Sequence, residues 1–390
     1  MTLPCITPIT TEYMRGVVET ENTPTGLILH RLPAWARAQT SDPQLTMAEA
    51  QPSGIRLVFT TEATEIALQA LPTKRVYTGL PARPDGVFEL VVNGKVQQQA
   101  SIPNGDILHI DMAKGTATQE TGTAGFASFA GLEAGIKSIE IWLPHNETLR
   151  LVALHSNAPI APIAAPTAQQ RRWVHYGSSI SQGSNAAAPT GIWPAIAAMA
   201  GNLDLTNLGF GGGAMLDPFI ARILRDRDAD LISLKVGINI VNGDIMRRRA
   251  FGPALHGFID TIREKHSNTP LLLISPIHCP IHETTPGPTS FDFAALAKGE
   301  TRFVATGNPD DVTQGKLSLQ IIRDDMSAIV KGRQQTDTNL HYLDGTMLYG
   351  ARDFAMHPLP DHLHPDGTSH RLMGERFAEL VLAKNGAFAS

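Results

Sequence analysis

Beyond residue 170 the chain alternates five apolar, strand-length runs with amphipathic stretches, and this pattern leaves few folds open. The runs are RRWVHYG (171–177), LDLTNLG (203–209), ADLISLKVG (229–237), PLLLISPI (270–277) and LHYLDG (340–345). Segments of helical period lie between and after them, among them DPFIARILRDR, RAFGPALHGFIDTIREKH, LSLQIIRDDMSAIVKGRQ and HRLMGERFAELVLAK. Strands buried on both faces and alternating with helices form a parallel sheet wrapped by helices. We therefore expect an α/β domain with five parallel strands over 171–390. In such folds the functional site lies beyond the carboxyl ends of the strands.

The first 158 residues read differently. IRLVFTT (55–61), TEIALQAL (64–71), GVFELVV (86–92), KVQQQA (95–100), DILHIDM (106–112), KSIEIWL (137–143) and LRLVALHS (149–156) are short strands bounded by Gly, Pro or Asn. Asn93-Gly94, between two of them, is a strong two-residue hairpin signal. An antiparallel, jelly-roll-like β-sandwich over 1–158 is the natural product. Three prolines spaced among small residues then mark 159–170 as the expected linker.

Composition removes several function classes. With 390 residues, 42% of them apolar and 18% charged, a packed core is affordable, and disorder or coiled coil is disfavoured. Lys plus Arg number 32 against 37 for Asp plus Glu, a net charge of -5, without the basic excess of a nucleic-acid binder. The densest basic runs, Arg171-Arg172 and Arg247-Arg248-Arg249, read as solvated helix or strand edges. Two cysteines, Cys5 and Cys279, give no disulfide framework and suit a reducing compartment. The N-terminal stretch lacks the pattern of a signal peptide, and no run of apolar residues is long enough to cross a bilayer. A soluble, cytoplasmic protein with no nucleic-acid or membrane partner is expected.

Chemistry-bearing residues gather at the strand ends. The first run leads into Gly177-Ser178-Ser179-Ile180-Ser181, where a serine meets the start of a helix, and helix-terminal N–H groups favour a developing oxyanion. Ser179 is the candidate nucleophile; a plain N-cap turn is the alternative. The second run ends in Gly211-Gly212-Gly213, whose amides no Cβ covers, as an anion-facing loop requires. The third ends in Gly237-Ile238-Asn239, with a carboxamide able to donate into a pocket; a turn former is the alternative. Just before the last helical stretch, Asp361 precedes His364 by three positions in a loop pinned by Pro360 and Pro365. An Asp there can bend back onto the imidazole Nδ1–H, fixing the tautomer and leaving Nε2 for a serine hydroxyl.

Other readings use the same region. His357, His362, His364 and His370 beside Asp353, Asp361 and Asp366 could form a metal cluster, and His278-Cys279 with His282 resembles half a zinc site, but neither completes a known ligand spacing. No metal or cofactor is therefore expected. The segment from Pro280 to Gly315 exceeds usual connection lengths and is expected to form a pocket wall or lid. His278, Cys279 and His282 open it and are substrate-binding candidates, with plain packing the alternative for Cys279. Trp35 is a further candidate, able to stack on a sugar face or close over the pocket; a core or interface tryptophan is the alternative.

At these residues the sequence resembles the SGNH hydrolases, also called GDSL esterases. The four family blocks occur in order as Gly177-Ser178-Ser179-Ile180-Ser181, Gly212, Gly237-Ile238-Asn239 and Asp361-x-x-His364. The resemblance implies a flavodoxin-like three-layer α/β/α domain, a Ser179–His364–Asp361 triad, and an oxyanion hole from the Ser179 and Gly212 amides and the Asn239 side chain. Two positions depart from the family: Ser178 stands where its first block has Asp, and Ile240 where an Asp often follows the asparagine. An α/β-hydrolase is disfavoured because Ser179 lacks a GxSxG setting and its acid and base lie close in sequence. The order of a β-sandwich before the catalytic domain, with YGSSISQG and SPIHCPIHETTPGP, is similar to a two-domain SGNH subgroup that includes an acyltransferase of tetracycline-type natural products. Three functions follow as alternatives: a serine esterase acting on small acyl groups, an acyltransferase using the same triad on a hydroxyl of a natural product or sugar, or a carbohydrate-binding protein with a vestigial catalytic domain. The implied partner is a small-molecule ester or acyl donor, with glycosylated ones among the candidates; oligomeric state is not legible.

Overall fold

The computed structural model describes residues 3–80, 83–111, 114–163 and 170–389. The chain divides into two units: Met1–Arg37 with Thr46–Gln169 and Ala187–Thr190, and Ala38–Leu45 with Gln170–Ala186 and Gly191–Ser390.

In the first unit, the described residues form one sheet of eight strands and one of six. Alternating side chains from both enter a single core, with Leu57, Phe59, Leu90 and Ile141 from one sheet and Leu68, Phe129 and Leu154 from the other. Val87–Val92 and Lys95–Ser101 pair through Val92 and Lys95. Asn93 and Gly94 supply the two positive φ angles, 49° and 79°, that such a turn needs. The strand Glu65–Tyr77 runs past its expected end at Leu71, and its second half pairs parallel to Asp106–Asp111, so the sheet is not wholly antiparallel. Lys74 and Arg75 interrupt the apolar pattern there and hide the continuation from a periodicity argument. The start of the expected linker also pairs: Ile160–Pro162 joins Phe59–Thr61 at the end of the second sheet. A proline is tolerated at such an edge because no neighbour needs its missing N–H. Residues 164–169, the rest of that linker, lie outside the described residues.

The second unit is built on five parallel strands, β1 (Arg172–Gly177), β2 (Asp204–Gly209), β3 (Leu231–Lys235), β4 (Leu271–Ile274) and β5 (Leu340–Leu343). Their order is β2-β1-β3-β4-β5. The burial that makes these runs strands is nearly complete: every residue of β3 and β4 is buried. Helices connect them, among them Trp193–Ala200, Pro218–Asp226, Arg248–Arg263 and Leu319–Arg333. In a doubly wound sheet of this order the connections from β1 and β3 leave in opposite senses, which opens a crevice at their carboxyl ends. Gly177 pairs with Gly209 on one side and Lys235 on the other, so the loops after β1, β2 and β3 leave the sheet at one level.

Candidate active site

Ser179 opens the short helix Ser179–Gln182 directly after β1 and is buried. The Ser178 side chain caps that helix, accepting from the Ile180 N–H at 3.3 Å. A hydroxyl thus holds this turn where the family's carboxylate would stand. Ser179 Oγ lies 2.9 Å from His364 Nε2. On the far side of the ring, His364 Nδ1 lies 2.8 Å from Asp361 Oδ2.

The loop that carries this pair is a tight turn rather than an extended strap. Asp361 Oδ1 accepts from the backbone N–H groups of Leu363 and His364 at 2.9 and 2.7 Å, which bends the chain back on itself. His362, between them, takes the positive φ of 68° that the turn demands. Asn185 Nδ2 donates to Asp361 Oδ2 at 3.1 Å. Burial pushes the Asp361 carboxyl up, but the hydrogen bond and charge of His364 and the two backbone donors outweigh it and hold the group below its usual value. A carboxylate so held fixes the imidazole tautomer and stabilises its cation.

The other two blocks adjoin the serine. A Cβ added at Gly211 would stand 3.6 Å from Ser179 Cβ, so the glycine loop passes directly beside the hydroxyl. Gln182 Oε1 accepts the Gly211 N–H at 2.6 Å and Gln44 Nε2 donates to the Gly211 carbonyl at 2.9 Å, clamping the loop from two sides. Gly212 has a φ of 76°, and a Cβ there would come within 2.9 Å of Gln44 Cγ, so the position demands glycine twice over. Asn239, buried at the start of the helix Ile238–Asn242, accepts the Ala214 N–H on Oδ1 at 3.0 Å. That bond sets the amide orientation, with Nδ2 as the group left to donate. Gly237 before it has a φ of 120°, which lets the helix start immediately after the strand.

The remaining candidates have other partners. His282 is fully buried, with Nδ1 3.0 Å from the Thr285 carbonyl and Nε2 2.6 Å from Thr289 Oγ1, so both ring nitrogens brace the loop. Cys279 is buried with its Sγ 3.4 Å from the His362 carbonyl, and burial pushes the thiol up to about 12. His278 Nδ1 lies 3.3 Å from Glu283, and its ring meets Phe354 edge to face. Glu283 also pairs with Arg323, fastening the start of the insertion to the helix Leu319–Arg333. Trp35 lies in the first unit and is 42% exposed. Of the histidines in the rival metal reading, His370 is buried between the Trp193 N–H and the Ser184 carbonyl. Among the described residues no group of three His, Cys, Asp or Glu is arranged to hold a metal ion.

Several residues of this region escape a sequence reading. His175 on β1 spans Ser181 Oγ at 2.8 Å and Ser233 Oγ at 2.7 Å beneath the serine turn, and burial pushes its pKa down to about 3. Lys235, at the end of β3, is buried, which lowers its amine to about 7. Both sit in runs that read simply as core strand. The long insertion folds as a small antiparallel hairpin of Thr289–Phe291 and Phe303–Ala305. The Phe303 ring meets the His364 ring edge to face, with centroids 5.8 Å apart.

This geometry has counterparts among known proteins. Residues 170–285 match the GDSL-like Lipase/Acylhydrolase family. Among solved structures, the salicylyl-acyltransferase SsfX3 from a tetracycline biosynthetic pathway superposes with a TM-score of 0.74 at 26% identity, over 96% of this chain and 93% of that one. A Bacteroides ovatus protein described as a GDSL-like lipase gives 0.66 at 19% identity, over 96% of each chain. A family two carbohydrate esterase from Clostridium thermocellum, solved with cellohexaose, gives 0.57 at 12% identity, over 94% of this chain and 97% of that one. The last two likenesses are likenesses of fold. No curated protein sequence matches the chain. The segment 170–285 is thus similar to the GDSL-like Lipase/Acylhydrolase family, and the chain as a whole is similar in fold to SsfX3.

Proposed function

We propose that the second unit is an acyl-transferring serine enzyme in which Ser179 is the nucleophile, His364 the general base and Asp361 the residue that orients it. Ser179 Oγ attacks the carbonyl carbon of an ester while His364 Nε2 takes its proton. The carbonyl oxygen becomes an oxyanion facing the Ser179 and Gly212 amides and the Asn239 side-chain N–H groups. As the tetrahedral species collapses, the bond to the alcohol oxygen breaks and His364 returns the proton to it, leaving an ester on Ser179. Water or a second alcohol, deprotonated by His364, then attacks the acyl-enzyme and releases an acid or a new ester. What carries this reading is the 2.9 Å approach of Ser179 Oγ to His364 Nε2, with Asp361 on the opposite ring nitrogen.

The esterase reading is the primary one, on carboxylic esters of small acyl groups. The likeness to a salicylyl-acyltransferase over nearly the whole chain supports transfer to a hydroxyl as the second. With it go a flavodoxin-like three-layer architecture for the catalytic part, a jelly-roll-like sandwich for the first unit and a cytoplasmic setting. Short-chain p-nitrophenyl esters, assayed on the wild type and on Ser179→Ala with and without added alcohols, test the proposal. We expect nitrophenolate release by the wild type only, with ester products rising with alcohol if the enzyme is a transferase. Equal turnover by Ser179→Ala would refute it.

A further inference from the structure

The insertion after β4 holds an aromatic pair that the chemistry above leaves without a task. Phe291 and Phe303 face each other across the hairpin, with ring centroids 5.0 Å apart and planes at 31°. Phe303 in turn stands edge to face against the His364 imidazole, and its backbone N–H donates to the Asp361 carbonyl at 2.9 Å. Both residues are only half-buried, so the pair is not sealed in the core. The base of the hairpin is firm, because the buried His282 holds Thr289.

Where these rings stand relative to the chemistry decides what they can touch. In acyl transfer the base gives its proton to the departing alcohol and takes one from the arriving alcohol, so either alcohol oxygen must approach His364 Nε2. The oxyanion occupies a different corner of the tetrahedral carbon, facing the Gly212 and Asn239 loops. A wall packed against the imidazole therefore borders the alcohol side of the site.

Resting on the acyl-enzyme reading, we propose that Phe291 and Phe303 bind the alcohol portion of the substrate and select one that carries a planar aromatic ring. Such a ring extends the stack already formed by the pair, whereas a saturated ring of equal size gains burial without the aromatic contact.

Benzyl acetate and cyclohexylmethyl acetate test this directly. They share the acyl group, so they share the acyl-enzyme, and their alcohols match in carbon count. The wild type should prefer benzyl acetate in kcat/KM by about tenfold, and Phe303→Leu and Phe291→Leu should each bring the ratio toward one. A wild type with no preference overturns the proposal. So does an equal fall for both esters in the leucine variants, because Phe303 would then act only by positioning His364. If the wild type turns over neither these esters nor p-nitrophenyl acetate, and Ser179 takes no acyl-type label, the acyl-enzyme reading fails first and this inference with it.

Discussion

At the scale of single residues, the site separates groups that accept from groups that donate. Asn239 uses its carbonyl to hold the Ala214 N–H, and the proposed oxyanion hole uses its NH2. Asn239→Asp preserves the accepting oxygen and removes the donor, so kcat should fall by about 10² to 10³, roughly 3 to 4 kcal/mol, while the melting temperature moves little. A variant with normal kcat would remove Asn239 from the oxyanion hole. Asp361→Asn keeps the shape of the turn but presents the wrong hydrogen-bonding group to Nδ1, and kcat should fall by about 10⁴ with KM nearly unchanged. These residues are legible in sequence because their chemistry lies in short, ordered blocks. Gln44 and Phe303 are not, since each reaches the site from a segment without a motif: Gln44 holds Gly211, and Phe303 lies against His364.

At the scale of elements, apolar runs and turn residues locate β1 to β5 to within a few positions, because strands buried on both faces leave an unmistakable hydrophobic signature. The same signature hides the polar groups inside those strands. His175 lies in β1 with both nitrogens engaged, and His370, in the helix Gly367–Phe377, is buried likewise; burial lowers them to about 3 and about 4. Both are neutral in the folded protein, whereas the unfolded chain binds protons at histidine near pH 6.5. Their stability contribution is therefore whole above pH 6.5 and is lost as pH falls toward the folded values, at about 1.4 kcal/mol per pH unit for each histidine. Denaturant unfolding between pH 7 and 5 should show this slope, and His370→Gln should flatten it by about half. An unchanged slope in that variant would mean that His370 is protonated within the fold. Lys235, buried at the end of β3, predicts the opposite effect of a substitution: Lys235→Met keeps its length and removes an amine that burial disfavours, so stability at pH 7 should rise by about 1 to 3 kcal/mol. A loss of stability would show that the amine has an essential partner.

Over the whole molecule, composition and periodicity reveal a β-rich part followed by an α/β part, and the segment 170–285 that carries the first three blocks is the one that matches the GDSL-like family. What they do not reveal are the excursions: Ala38–Leu45 groups with the second unit and Ala187–Thr190 with the first. Long-range contacts accompany such excursions, as when Thr190 donates to Glu89 through its backbone N–H at 2.7 Å and its hydroxyl at 2.6 Å. No local pattern encodes them. The charge distribution, by contrast, follows composition. Arg247 and Arg248, the densest basic run, pair with Asp244 and Asp325. With a net charge of -5 the protein is expected to leave a DNA fragment unshifted at about 50 mM salt. In the proposed mechanism Ser179 is a nucleophile made reactive by His364. Intact-mass and peptide analysis after treatment with a fluorophosphonate tests it most directly. One adduct per chain is expected, on the peptide that contains Ser179, absent in Ser179→Ala and formed far more slowly in His364→Ala. An unmodified wild type, or an adduct that persists in Ser179→Ala, would contradict it.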